Sequence, residues 1–413
     1  MGRNRCIVTA GTMARTLKAA KGRRLAVFLG AGAAKPFGYP LSSALLDDIV
    51  QHLGDPRFVK SGRRTLESYL FRLLPGESRK RKNLPPVTSL LSLLDYSLTS
   101  GQSMLPRESA DETRRARQLL ERAILEVIND KEPFNGRSER KLDRFAQVLG
   151  FLRTPSTEPL DVITTNWDML SDEVVGRAAE VDALSELDWN NEDMAARIDF
   201  GFGWACHVRG RPPKLFSRPV KPRARLLKLH GSTNWLKCPL CDTVYIDPRG
   251  PNWHQAYRHG NSTNRCHCSK TRLEVQIVSP SFVREMREPN LLAVWKLALD
   301  ALRTADDWLI VGYSFPDEDL AVRALFTRAY ASRGTLTAHV RPPTVNVVQM
   351  GSDAFNRYDA FFDSSVLSYC GDGLQAFLSA WNPRPARVGR RVRRKKTSRR
   401  KSRTKRARPL SRR

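Results

Sequence analysis

Short apolar segments, each followed directly by glycine or by polar side chains, constrain the fold of this chain more than any other feature. They occupy residues 25–29, 160–164, 226–229, 308–311 and 344–348. Their length and their lack of polar alternation are typical of strands that are buried on both faces. Helical patterns separate them, which predicts an α/β fold: a Rossmann-like parallel sheet with helices on both faces. Ligands bind such sheets beyond the carboxyl ends of the strands, where these polar motifs fall.

A long helical region separates the first two strands. Apolar residues at helical spacing predict helices near residues 66–74, 87–98, 111–128 and 141–152. We therefore expect a domain that carries a helical insertion and ends before a C-terminal tail. The predicted limits are a basic lead-in at 1–24, the domain at 25–382 with its insertion at about 51–159, and a tail at 383–413.

Size and composition are those of a globular protein with a core of its own. The chain has 413 residues, of which 41% are hydrophobic and 27% charged, and it contains no apolar run that would span a bilayer. The lead-in is basic and lacks the apolar stretch of a secretory signal, although a transit peptide is an alternative. We expect a cytoplasmic protein, and an oligomer is compatible with these features.

The net charge of +28 is concentrated at the C-terminus. Residues 384–413 hold 17 Lys or Arg and no Asp or Glu. Such a segment repels itself and has little apolar surface to bury, so we expect a disordered basic tail. Its natural partners are polyanions, and nucleic acid is the leading candidate. The alternative is a tail that only improves solubility or directs localisation.

The first strand ends in Gly30, Ala31 and Gly32, and a helical pattern follows. Glycines at this point leave room for a pyrophosphate, and the N–H groups of the next helix can bind it. The spacing differs from the usual dinucleotide fingerprint, because the next glycine is Gly38. A simple tight turn is therefore an alternative interpretation.

Polar motifs follow the next two strands. Thr165, Asn166 and Asp168 come directly after the second strand, and His230 precedes Gly231 after the third. An asparagine side chain both donates and accepts hydrogen bonds, and an imidazole exchanges protons near neutral pH. These are groups that a site needs to hold a ribose, orient a water molecule and accept a proton. An Asn that caps a turn and a structural His are the alternatives.

The order of these motifs resembles that of the sirtuin-like family. There a GAG-type turn, a threonine-led motif ending in Asn-x-Asp and a His-Gly pair follow one another, as Gly30–Gly32, Asn166–Asp168 and His230-Gly231 do here. Gly312 and Ser314 resemble the loop that contacts ribose in that family. The resemblance implies that NAD is bound at these positions, with Asn166 and His230 as the catalytic residues. It also implies cleavage of the bond between nicotinamide and ribose.

Departures from the deacylase branch favour hydrolysis of NAD. The Asp-Phe-Arg that usually follows the glycine turn is absent near Lys35, and Thr165 stands where deacylases usually have Gln. This resembles the NAD-hydrolysing sirtuin-like domains of bacterial antiphage effectors. An NAD-dependent protein-lysine deacylase is the alternative. A non-catalytic nucleotide-binding module tethered to nucleic acid is a third hypothesis.

Two cysteine pairs predict a structural zinc site. Cys238 and Cys241 are followed by Cys266 and Cys268, which suits tetrahedral coordination by thiolates in a small zinc-ribbon module at about 236–272. The second pair has one intervening residue, so His267 or His259 is an alternative ligand. Disulfides are the other alternative, which a cytosolic setting disfavours. Four protein ligands would leave no open position for catalysis.

Overall fold

The computed structural model describes most of the chain between residues 6 and 381. The described ranges are 6–59, 62–74, 84–131, 139–153, 158–180, 191–207, 212–248, 250–257, 264–268, 271–278, 288–317, 319–335 and 341–381. The basic tail predicted at 383–413 and the first five residues of the lead-in lie outside these ranges.

Seven parallel strands form the main sheet. They are β1 (Leu25–Leu29), β2 (Leu160–Thr164), β3 (Ile198–Asp199), β6 (Ala224–Lys228), β10 (Asp307–Val311), β11 (Thr344–Val348) and β12 (Leu367–Cys370). Their order across the sheet is β12-β11-β10-β1-β2-β6-β3. Every neighbouring pair is parallel, and β1, β2 and β10 are buried along their whole length. The predicted fold class is confirmed.

The order of the strands reverses at the centre of this sheet. From β1 the chain builds outward through β2 and β6, and it later returns to build outward on the other side through β10, β11 and β12. The loops that follow β1 and β10 therefore leave the carboxyl edge of the sheet in opposite directions at its centre. Open α/β sheets bind ligands in the crevice that such a reversal creates.

Helices flank the sheet and fill the long connection between β1 and β2. They are α1 (Ala10–Ala19), α2 (Ala31–Ala34), α3 (Leu45–His52), α4 (Arg63–Leu73), α5 (Val87–Ser100), α6 (Ala110–Asp130), α7 (Glu139–Leu152), α8 (Leu170–Ala178), α9 (Asn191–Arg197), α10 (Pro289–Thr304), α11 (Leu320–Thr335), α12 (Phe355–Phe361) and α13 (Gly373–Trp381). The four helices that periodicity predicts in the insertion are present as α4 to α7. None of the helices described is both long and apolar enough to cross a membrane.

A second, smaller sheet is formed by segments that lie before and after β6 in the chain. It contains β4 (Trp204–Cys206), β5 (Lys214–Phe216), β7 (Gly231–Lys237), β8 (Val244–Ile246) and β9 (Glu274–Ile277). Their order is β5-β4-β8-β7-β9. Since β7 begins at Gly231, the chain passes from the main sheet into this sheet immediately after His230.

Part of the segment before β1 is folded onto the domain. Met13 and Leu17 of α1 are buried, and Ala10 N–H donates to the Asp372 carboxylate at 2.7 Å. Tyr369 N–H in β12 donates to the Cys6 carbonyl at 2.7 Å. The helix therefore belongs to the hydrophobic core beside the C-terminal strand.

Candidate active site and metal centre

The glycine loop after β1 packs directly against the loop after β10. Gly32 N–H donates to the Gly312 carbonyl at 2.7 Å, and Gly30 N–H donates to the Val311 carbonyl at 2.9 Å. A Cβ at Gly312 would lie 2.0 Å from the Ala33 nitrogen, and the φ of Gly312 is +65°. Glycine is required here so that two backbones can touch. The sequence alone suggests only that glycines near this point leave room for a pyrophosphate.

Aromatic packing holds the Gly312 loop in place. The Tyr358 hydroxyl donates to the Tyr313 carbonyl at 2.5 Å, and Phe315 is fully buried at a left-handed φ of 54°. Ser314 lies between Tyr313 and Phe315 in the sequence and is exposed. Its carbonyl accepts a hydrogen bond from Arg357 Nε at 2.8 Å. Ser314 therefore presents its hydroxyl to solvent at the carboxyl edge.

Asn166 joins the second strand to the glycine loop. Its Nδ2 donates to the Gly30 carbonyl at 3.0 Å, while its backbone N–H donates to Thr164 Oγ1 at 3.0 Å. Thr165 N–H donates to the Leu29 carbonyl at 3.3 Å. The side-chain oxygen Oδ1 remains as an acceptor with two lone pairs. Asn166 is half-buried, so this oxygen is the group that the side chain offers to a ligand.

His230 occupies the corresponding position on the neighbouring strand. Thr164 pairs with Lys228, so Asn166 and His230 each lie two residues beyond a paired position. Adjacent strands are about 4.8 Å apart. The His230 side chain is 2% exposed and lies against the indole of Trp295, with ring centroids 6.3 Å apart. The structure thus brings both predicted catalytic residues to one edge and encloses the imidazole.

The remaining predicted cofactor contacts differ in what they touch. Ala31 opens α2 and is half-buried at the same edge as Thr165. Asp168 instead faces the protein, because its Oδ1 accepts the Leu170 N–H at 2.9 Å and its side chain is buried. Burial raises the pKa of the Asp168 carboxyl to about 6, although nearby Lys228 and the Leu170 N–H act to lower it. Asp168 therefore supports the loop that carries Asn166.

A buried ion pair beneath this edge was not anticipated from the sequence. Lys228 Nζ donates to the Asp172 carboxylate at 2.6 Å and to the Asp168 carbonyl at 2.7 Å, and its side chain is fully buried. Asn234 Nδ2 lies 3.4 Å from the same carboxylate. Lys228 thus anchors the loop after β2 to the end of β6. The only signal in the sequence is the charged residue Lys228 within an apolar strand pattern, and such a residue is usually interpreted as the end of a strand.

The four predicted metal ligands lie together beside the second sheet, in the turn after β7 and in the segment before β9. Their sulfur atoms are all within 4.8 Å of one another; they belong to Cys238, Cys241, Cys266 and Cys268. The Cys238 and Cys268 sulfurs are 3.7 Å apart, and those of Cys241 and Cys266 are 3.5 Å apart. A tetrahedral site with Zn–S bonds of about 2.3 Å separates its sulfurs by about 3.8 Å. The cluster is therefore compatible with structural zinc.

His267 lies beside the cluster, with its Nδ1 3.7 Å from the Cys266 sulfur, but its closer partner is a tyrosine. Its Nδ1 lies 2.7 Å from the Tyr245 hydroxyl, and its backbone N–H donates to the same oxygen at 2.9 Å. The alternative ligand His259 lies outside the described residues. Four thiolates form a closed set, and this arrangement leaves no coordination position for a water molecule.

Comparison with known proteins gives one kind of match. No family model and no curated protein matches the chain. Among solved structures it is similar to a Sir2 enzyme from work on mechanism and regulation, at 16% identity and a TM-score of 0.40 over 90% of this chain and 95% of that one. A Sir2 homologue in complex with NAD is 13% identical, with a TM-score of 0.36 over 90% and 91% of the two chains.

Because the two loops are in backbone contact, Gly312→Ala should lower the free energy of unfolding more than Gly351→Ala. Gly312→Ala adds a Cβ that collides with the backbone, so its cost combines left-handed strain of about 1–2 kcal/mol with overpacking of about 1–3 kcal/mol. Gly351 also has a positive φ, of 76°, but a Cβ added there would meet no atom within 4 Å. Gly351→Ala is thus the matched control, with strain alone. Urea unfolding of both variants checks this, and equal losses of stability would contradict it.

Because Lys228 and Asp172 form a buried ion pair, the effects of substituting them on the free energy of unfolding should not be additive. Lys228→Met leaves the Asp172 carboxylate buried without its cation, which costs about 3–5 kcal/mol of unfolding free energy. Adding Asp172→Asn should restore at least half of that loss, because the carboxylate that Lys228 contacts directly is then a neutral amide. Lys214→Met breaks a solvent-exposed pair with Glu192 and should cost less than about 1 kcal/mol. Additive losses in the double variant would refute the coupling.

The cysteine cluster predicts about one zinc ion per chain. Cys241→Ser or Cys266→Ser should lower the zinc content measured by mass spectrometry and the melting temperature together. Cys6→Ser is the control, because Cys6 lies elsewhere and donates only to the Ser364 carbonyl. A chain that purifies without zinc and keeps its melting temperature in a chelator would show that the thiols hold no metal.

Proposed function

We propose that the chain is a sirtuin-like enzyme that binds NAD at the carboxyl edge of its main sheet and cleaves the bond between nicotinamide and ribose. The observation that carries the proposal is the hydrogen bond from Asn166 to the Gly30 carbonyl. It joins the loop suited to a pyrophosphate to the side chain suited to a ribose. The reversal of strand order between β1 and β10 lies beside them.

Each polar group has a role in this reaction. Departure of nicotinamide leaves an oxocarbenium-like ribose, which a water molecule must attack. Asn166 Oδ1 accepts a hydrogen bond from the ribose or from that water. The His230 imidazole, on the next strand, accepts the proton that the water or a ribose hydroxyl loses. Ser314 and the backbone near Ala31 hold the rest of the ligand. Zinc has no part in the chemistry.

We propose hydrolysis of NAD in preference to deacylation. Lys35 and Pro36 stand after the glycine loop without the Asp-Phe-Arg of deacylases, and Thr165 stands where they usually have Gln. With those groups absent, water is the acceptor that the site favours. A defence effector is the biological role that the resemblance to antiphage domains suggests. For the tail at 383–413 we propose polyanion binding, with nucleic acid as the first candidate.

Nicotinamide release from the full chain tests the proposal. Incubation with NAD alone should release nicotinamide, and Asn166→Ala or His230→Ala should lower the rate by at least about a hundredfold. Release that requires an acetylated peptide would favour the deacylase, and NAD binding without release would favour the non-catalytic module.

Matched controls separate chemistry from folding. Asn290→Ala also removes a carboxamide that donates to a backbone carbonyl, that of Asp242 at 2.7 Å. His52→Ala removes an imidazole from α3, whose Nδ1 lies 2.7 Å from the Asp48 carbonyl. Both should retain the wild-type rate. If Asn166→Ala and His230→Ala retained it too while remaining folded, the assignment of the catalytic centre would be wrong.

A further inference from the structure

A cavity of about 200 Å³ lies behind the turn that follows the glycine loop. One wall is the short 3-10 turn at Lys35–Phe37, and the others come from α7 and α13. Phe37 and Leu378 give it apolar surface, while Arg140, Lys141 and Arg144 give it three cations. None of these residues has a part in the NAD site proposed above.

The charges of α7 are divided between two of its faces. The acidic residues Glu139 and Asp143 both form ion pairs with Arg177 of α8. Arg140 and Arg144 line the cavity at its exposed rim, and among the described residues neither has a hydrogen bond or an ion pair. Lys141 is held against the wall, because its Nζ donates to the Pro36 carbonyl at 2.9 Å. Three cations therefore face the cavity, and two of them have no anionic partner among the described residues.

An anionic ligand would relieve the repulsion between the two arginines of the cavity. Like charges four residues apart on a helix destabilise it by about 0.2–0.5 kcal/mol, and their side chains start about 6 Å apart. Guanidinium groups match the geometry of phosphate oxygens and bind them with charge-assisted, often bidentate hydrogen bonds. Two such groups at this spacing suit two linked phosphates.

We propose that this cavity is a second binding site, which takes a small molecule carrying a diphosphate. Arg140 and Arg144 bind the phosphates, and Lys141 adds a third cation while it fixes the Pro36 turn. The apolar wall of Phe37 and Leu378 receives whatever the diphosphate is attached to. The cavity is small, so only the part of the substituent next to the diphosphate contacts this wall.

Calorimetric titration of the full chain tests the site. Inorganic pyrophosphate should bind. The double variant Arg140→Gln with Arg144→Gln should raise the dissociation constant of pyrophosphate at least about tenfold. The matched control is Arg64→Gln with Arg115→Gln, which removes the same charge from exposed positions on α4 and α6 and should leave binding unchanged. ADP and adenosine distinguish the sources: tighter binding of ADP than of pyrophosphate indicates a nucleotide, and equal binding indicates free diphosphate.

Three results would overturn the proposal. Pyrophosphate binding that survives in the Arg140 and Arg144 double variant would place it elsewhere, for instance on the glycine loop, which that variant leaves intact. An equal loss in the control variant would show a non-specific effect of charge. Adenosine binding as tightly as ADP would show that phosphate is not what is recognised. Nicotinamide release is a separate measurement, so either proposal can fail without the other.

Discussion

The backbone contact between Gly32 and Gly312 is the constraint on which the rest of the site depends. It locks together the loops that leave the two central strands, β1 and β10, with a hydrogen bond of 2.7 Å and no room for a Cβ on either side. Because Asn166 then bonds to the Gly30 carbonyl, the loop after β2 takes its position from the same contact. Three loops distant in sequence thus form one rigid edge before any ligand arrives.

The other half of the site is positioned by charge. Lys228 lies fully buried at the end of β6, and its ammonium group holds both the Asp172 carboxylate and the backbone of the loop that carries Asn166. The next residues along β6 lead to His230. A charge buried this deeply is tolerated only when it is paired, so the strand ends that bear the two proposed catalytic residues are fixed relative to each other. Rigid placement of this kind is what general acid-base chemistry requires.

Much of this fold could be predicted from the sequence, and the failures have physical causes. The central strands β1, β2 and β11 begin and end where their apolar runs do, because both of their faces are buried. The strands of the second sheet were missed because most span only three or four residues, too few to show a period. The packing of Gly312 against Gly32 could not be predicted, because it joins residues that lie far apart in the sequence. Lys228 was missed because a fully buried lysine contradicts the usual pattern.

A crystal structure of the Asn166→Ala variant soaked with NAD tests the central claim most directly, since slow cleavage would leave the intact dinucleotide in place. We expect the pyrophosphate beside Gly30 and Gly32, and the nicotinamide ribose between position 166 and His230. NAD bound away from the carboxyl edge of the main sheet, with these residues untouched, would contradict the account.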